Sequence, residues 1–440
     1  MKRVQLACLL ACAAFAARGQ SSGAVVALDD GSLVVAGGSS VCHRYGTLSK
    51  VATMFVGLGF AAGGETYDSA ALGLESITAD GRPNTRFGGK GFVVTPLRPL
   101  KNHDGAVATA LVHDARDRVI AVGWRTQSLW PDAGVILIAA ARYDASGTLD
   151  QTFGDHGLVN VRFNREGVTE PSAAVVDTQG RLLVAGYNGG RKLKSKLGSF
   201  DDWTNHLFVA RFTTDGRLDT SFGQDGFALV DVIPATKAVV NPKCKQEPST
   251  CLWLAEQSLK SHERDFLVYG HSPAGLAIDA QNRIVAGASA SDGTYILTRF
   301  LADGKVDTTT RTQMPTGSTI AQILIDHSGR LLVVGTKGDR IALTLDGEVH
   351  ETPFAAGLVP SGAALTANGR FFVAAAGEHT LAVALFDRDG TPVKGFGHDG
   401  VMSAEMSRLT GPAGLTVNAS GEPTVAARSE NGVAVLHANR

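Results

Sequence analysis

An all-β fold, a β-propeller of seven blades, is predicted by three observations. A hairpin of two short apolar runs around a two-residue turn recurs seven times. A second hairpin unit built around a Phe-Gly pair follows it in four places and in two degraded copies. The apolar runs are too short for helices and rich in aliphatic residues. Composition agrees: 52 of 440 residues are glycine, about 12 % against a usual share near 7 %. At 44 % hydrophobic and 19 % charged residues, the chain is too apolar to be disordered. A formal charge of -1 gives no long-range attraction to nucleic acid or an anionic membrane.

The first element is a leader. Lys2 and Arg3 precede an apolar stretch from Val4 to Ala17 that is too short to span a bilayer. Small residues follow at signal-peptidase spacing, Ala14 with Ala16 or Ala17 with Gly19, so residues 1–19 read as a secretory signal peptide. A rival reading takes Leu9 to Cys12 as a lipobox, with Cys12 as a lipid anchor. No later stretch is long and apolar enough for a membrane span. The exported chain, residues 20–440, then keeps Cys42, Cys244 and Cys251. Export permits disulfides, and Cys244 with Cys251 flank a short polar loop that a bridge would close. The alternative is three free or buried thiols. Cys42-His43 has no second Cys three residues upstream, so covalent haem attachment is excluded.

The blades follow. Their opening hairpins turn at Asp30-Gly31, Arg116-Asp117, Gln179-Gly180, Gln281-Asn282, Ser328-Gly329, Asn368-Gly369 and Ser420-Gly421. Gly and Asn there tolerate the positive φ that tight hairpin turns require. The second unit lies at 80–91, 144–157, 208–226 and 389–400, where Phe87, Phe153, Phe222 and Phe396 each precede Gly, with another Gly three residues on. Degraded copies begin at Asp303-Gly304 and Asp346-Gly347. Four strands per repeat cannot bury both faces alone, so neighbours must stack around an axis. After Val433 to Leu436 no sequence is left for a fourth strand, which predicts a three-stranded last blade. The repeated Phe is expected to fill space between blades, with Gly allowing the bend after it.

The stretches Leu218 to Gly226 and Leu149 to Gly157, together with the hairpin around Arg181 to Gly186, resemble the bacterial delta-60 repeat family. The resemblance covers most of the exported chain. It is strong in the second and third units, fair in the first and sixth, and faint elsewhere. It implies a propeller-type fold in exported or surface proteins, and carries no activity or catalytic residue set.

Three insertions interrupt the repeat, at 39–68, 188–204 and 233–273. The second holds Arg191, Lys192, Lys194 and Lys196, a basic group that suits either a solvated loop or an acidic partner. The third carries Leu252, Leu254, Leu259 and Phe266 at a spacing that suits a short helix. Long insertions on a rigid scaffold are habitual carriers of binding function, although surface length is also cheaply tolerated.

Sites of chemistry are sparse. Gly270 to Ala274 imitates a nucleophile elbow but has Ala at its fifth position and a strand pattern after it. Asp155-His156, Gln224-Asp225 and His398-Asp399 hold one repeat position, where turn chemistry competes with metal binding. Asp387 to Gly390 starts like a calcium loop without the distal Glu. Trp130-Pro131-Asp132 imitates a phosphatase acid loop, with no phosphate cradle to use it. Gly57 to Gly59 lacks the helix a nucleotide loop needs, so no cofactor is implied. The expected function is an exported, monomeric binding or interaction module for a protein or carbohydrate ligand. The alternative is a propeller hydrolase or lactonase with a metal at the axial mouth. A channel end holding three carboxylates or imidazoles favours the enzyme; an apolar or Gly-lined channel favours the module.

Overall fold

The computed structural model describes residues 25–438 apart from 29, 41–69, 79–80, 98–105, 130–131, 164–167, 194–199, 234–274, 280, 290–293, 315–318, 327, 338–339, 346–347, 354–356, 410–412, 419–420 and 431. Every element among the described residues is a β-strand. Blade 1 is β1 (Val25–Ala27), β2 (Leu33–Ser40), β3 (Ala70–Ile77) and β4 (Phe92–Pro96). Blade 2 is β5 (Ala106–His113), β6 (Val119–Leu129), β7 (Asp132–Tyr143) and β8 (Leu158–Val161). Blade 3 is β9 (Val168–Val176), β10 (Leu182–Leu193), β11 (Phe200–Phe212) and β12 (Phe227–Ile233). Blade 4 is β13 (Gly275–Ile278), β14 (Ile284–Ser289), β15 (Thr294–Phe300) and β16 (Val306–Gln313). Blade 5 is β17 (Thr319–Ile325), β18 (Leu331–Lys337), β19 (Arg340–Leu345) and β20 (Glu348–Pro353). Blade 6 is β21 (Val359–Leu365), β22 (Phe371–Ala376), β23 (Thr380–Phe386) and β24 (Val401–Glu405). Blade 7 has three strands, β25 (Gly414–Val417), β26 (Pro423–Ser429) and β27 (Gly432–His437).

Within each blade consecutive strands pair antiparallel, in chain order. One parallel bridge, Ile136 with Val168, ties blade 2 to blade 3. The first strands of successive blades lie side by side, and β25 meets β1 to close the ring. These seven inner strands surround the axis. The predicted seven-bladed propeller, with its short last blade, is the fold of this chain.

Side-chain alternation explains why the strand sequences are apolar on both faces. In blade 3, Leu182, Val184, Phe208 and Ala210 enter the seam with blade 2. Leu183, Ala185, Leu207 and Val209 enter the seam with blade 4. Among the described residues the core is therefore divided into seven clusters, one per seam. The closing seam between blades 7 and 1 is the smallest, with Leu33, Val35, Ile77 and Ala426 as its buried members. At that seam Glu75 also faces Arg428: burial raises the carboxyl's pKa and the Arg428 charge opposes the rise.

Strand parity sorts the loops. Turns between first and second strands, and between third and fourth, all open on one face, the turn face. Loops between second and third strands, and those joining blades, open on the other. The segments 41–69, 98–105, 164–167, 194–199 and 234–274 all attach at this second face, on blades 1 to 4. Residues 188–204 do not leave the sheet at once. The β10–β11 ladder continues through Asn188 with His206 to Leu193 with Phe200, past a bulge at Arg191/Lys192. Blade 2 is extended likewise, to Leu129 with Asp132, a hairpin that the sequence analysis did not single out.

Candidate functional site

The turn face is built from two repeated clasps. In the opening hairpins Asp114, Asp177, Asp279 and Asp326 each accept two backbone N–H groups through Oδ1, from residues two and four positions on. Their Oδ2 atoms hold Arg118, Arg181, Arg283 and Arg330. In the second unit Arg142 pairs with Asp150 and Arg211 with Asp219, both at 2.8 Å. Arg142 Nη1 also donates to the Thr214 carbonyl of the next blade, and Arg211 Nη1 to that of Ala302.

Two of the repeated phenylalanines, Phe153 and Phe222, sit under the second of these clasps. Phe87, Phe153 and Phe222 are fully buried, and Phe396 is half-buried. Each of the first three meets the third-to-fourth turn of the following blade. The N–H of Gly88 donates to Ser146 O at 2.7 Å, that of Gly154 to Asp215 O at 2.6 Å, and that of Gly223 to Asp303 O at 2.8 Å. The next residue of each turn, Gly147, Gly216 or Gly304, lies flat on the ring. A Cβ on Gly216 would come within 2.7 Å of Phe153.

His156, Asp225 and Asp399 take left-handed φ values of 53°, 49° and 52° in three separate blades. Their side chains, with Asp155 and His398, are exposed, and Asp155 with His156 and His398 with Asp399 lie 3.8 and 3.5 Å apart. Asp387 belongs to a hairpin turn closed by Gly390, and its Oδ1 accepts from Arg370. Among the described residues no three His, Cys, Asp or Glu side chains come together to hold a metal. Cys12, Cys42, Cys244, Cys251 and the Gly270 to Ala274 segment lie outside the described residues.

The opposite face holds the polar groups that sequence reasoning missed. Cross-strand register aligns Thr169 of β9, Asn188 of β10, His206 of β11 and Asp231 of β12. Directly opposed residues share one side of a sheet, so the four form a row facing blade 2. Asn188 Nδ2 donates to Thr169 Oγ1 at 3.1 Å, both side chains being buried. His206 Nδ1 lies 2.7 Å from the exposed Asp231 carboxylate. On the other side of the same sheet Glu170 stands opposite Tyr187. Burial pushes the Glu170 carboxyl up, and burial followed by the nearby Glu170 charge pushes the Tyr187 hydroxyl up. Pairwise alignment of the hairpins predicts this row once register is known. The residues are too far apart in the chain for a motif to show it.

The inner strands themselves carry few ionisable groups. The seven inner strands carry two titratable side chains, Glu170 and His113. Glu170 lies near the loop-bearing face and His113 at the turn face. The remaining positions are small or apolar, or carry Thr, Ser, Gln or Pro.

The family model described as a domain of unknown function (DUF5122) beta-propeller matches residues 197–222, which span β11 and the turn before Phe222. No curated protein matches the chain. Among solved structures, virginiamycin B lyase from Staphylococcus aureus is similar at 11% identity and a TM-score of 0.47, covering 96% of each chain. The Cps50 (Swd1) β-propeller domain of Myceliophteria thermophila is similar at 11% identity and a TM-score of 0.41, over 85% of this chain and 94% of that one. Puromycin hydrolase is similar at 14% identity and a TM-score of 0.44, over 97% of this chain and 53% of that one. These values assign no activity to this chain.

Proposed function

We propose that this chain is an exported propeller of the delta-60 repeat type that binds a protein or carbohydrate ligand on its loop-bearing face. The observation that carries the reading is the make-up of the inner strands. A catalytic metal at an axial mouth needs several converging carboxylates or imidazoles. Here each channel end has a single titratable residue on the inner strands, Glu170 at one and His113 at the other. The loop-bearing face instead offers His206 and the exposed Asp231, held on a rigid sheet by a row whose inner members, Thr169 and Asn188, are buried and bonded to each other. Binding function habitually sits on such extensions. Residues 1–19 serve as the export signal in this reading, and no helix among the described residues is long and apolar enough to cross a membrane.

Thermal-shift screening of the exported chain against divalent metals, oligosaccharides and cell-wall fragments tests it, since a ligand of the folded state raises its melting temperature. A saccharide or protein hit is expected. That shift should disappear when 189–204 is replaced by a tight turn or His206 and Asp231 are changed to Ala. Stabilisation by a divalent metal, with metal-dependent ester or lactone hydrolysis, would establish the hydrolase alternative.

A further inference from the structure

We infer that Glu170 is the point at which the loop-bearing face recognises a cationic side chain, lysine or arginine, presented by a protein ligand. This rests on the binding role proposed above for that face, and adds the chemistry of what is bound. Three observations carry it.

The first is a carboxyl without a counterpart. Elsewhere the carboxyls that the fold withdraws from water are matched by a cation. Asp114, Asp150, Asp219, Asp279 and Asp326 each hold an arginine, and Glu75 faces Arg428. At Glu170 burial acts alone, and among the described residues no donor or cation meets the carboxyl. A carboxylate taken out of water is costly unless a cation or donors compensate it. A ligand that brings positive charge to this point recovers that cost.

The second is its place. Glu170 is the third residue of β9 counted from the loop-bearing face, and it keeps partial exposure, so it is reached from that side. Its cross-strand partner Tyr187 also stands opposite Leu207, a member of the seam with blade 4. Glu170 and Tyr187 therefore face blade 4, which brings Leu276, Ala288 and Ile296 to the same seam. These apolar side chains supply no charge.

The third is shape. Above Tyr187 the β10–β11 ladder runs on to Leu193 with Phe200, six residues further, or about 20 Å of strand. The carboxyl thus lies at the foot of a tall hairpin. A slender chain with its charge at the tip suits that foot: lysine and arginine lay a methylene stem along apolar surface and carry the charge to its end. The phenol ring of Tyr187 beside the carboxyl also favours a cation.

The probe is Nα-acetyl-lysine methylamide, titrated into the full chain at pH 8 by calorimetry beside its norleucine analogue, which lacks the ammonium alone. The lysine compound should bind about tenfold more tightly, the ratio set by a charge-assisted hydrogen bond. Glu170→Gln should remove that advantage, and its melting temperature reports that the variant is folded. Equal binding of the two compounds, including none by either, overturns the inference, as does an advantage that survives Glu170→Gln. Glucosamine binding as tightly as the lysine compound overturns it too, by moving the ammonium onto a sugar. So does a Glu170→Gln protein less stable at pH 8, since a cation of this chain would then be holding the carboxylate. A neutral saccharide from the thermal-shift screen, its shift intact in Glu170→Gln, would leave the binding face standing and overturn the cation reading alone.

Discussion

The guanidinium carbon of Arg142 stands 4.4 Å from the centre of the Phe153 ring, and Arg211 repeats this over Phe222 at 4.5 Å. The arginine is buried, so its charge is compensated by Asp150 beside it. Blade 4 repeats the ion pair with Arg299 and Asp307, whereas blades 1 and 6 solve the same position differently. Blade 1 has Ser76 hydrogen-bonded to Asn84, and blade 6 has Leu385 and Val393 joined only through backbone. The repeat thus accepts an ion pair, a neutral polar pair or an apolar pair, but in each case both members change. Asp150→Val should destabilise the fold by about 3–5 kcal/mol, because it strands a buried charge. Arg142→Leu with Asp150→Val should restore most of that loss. Urea unfolding midpoints of the two single variants and the double variant decide it; a double variant no better than Asp150→Val sinks the idea.

Phe222 and Phe396 occupy one repeat position in unequal surroundings, and their truncations should differ. Phe222→Ala removes a fully buried ring that supports Gly304 of the next blade, and should cost about 3–5 kcal/mol. Phe396→Ala removes a half-buried ring packed on Phe372, at a centroid distance of 5.6 Å, and should cost clearly less. Circular dichroism melts of both variants measure the gap. Equal shifts would mean that the blade 6 ring is as enclosed as the others.

These contrasts show what was legible in the sequence. Turn residues with positive φ, such as Gly180 and Asn282, and the spacing of Phe-Gly to the next Gly announced the strands and their number. They are local signals, fixed by what one turn demands of one residue. The Thr169, Asn188, His206 and Asp231 row was not legible, because it exists only through register across four strands. Residues 188–204 read as an inserted loop since Asn188, Gly189 and Gly190 are poor strand formers. Pairing with the opposite arm overrides that preference. The clustering of long segments on one face follows from strand parity alone. It needed the strand count between insertions rather than any residue type.

Acid should weaken the turn face first. At Asp150 burial raises the carboxyl's pKa, but hydrogen bonds from Thr152 and the charge and donors of Arg142 outweigh it, leaving a value of about 2. At Asp326 burial is likewise outweighed, by Ser328 and Arg330, again to about 2. Both folded values lie below the unfolded carboxylate near 3.8, so the unfolded chain takes up protons first as pH falls. Their stabilisation is complete above about pH 4 and is lost as pH drops towards 2. Melting temperatures from pH 6 to pH 2 should fall steeply at the acid end. Asp150→Asn and Asp326→Asn should each flatten that limb while lowering stability at pH 6. Parallel curves for variant and parent would show that these carboxylates titrate normally.

Glu170 has the opposite sign. Burial holds its folded pKa above the unfolded value of 4.5, so the folded protein keeps the proton longer as pH rises. The carboxyl is harmless below that value and destabilising once pH passes through the raised folded pKa. Glu170→Gln should therefore raise the melting temperature at pH 8 and leave it nearly unchanged at pH 4. A carboxyl kept at the loop-bearing end of the channel against that penalty fits a role in contacting ligand. The same variant should weaken whichever ligand the thermal-shift screen returns while making the free protein more stable. A variant less stable at pH 8 would mean that Glu170 is held ionised by a partner, and would remove it from the binding face.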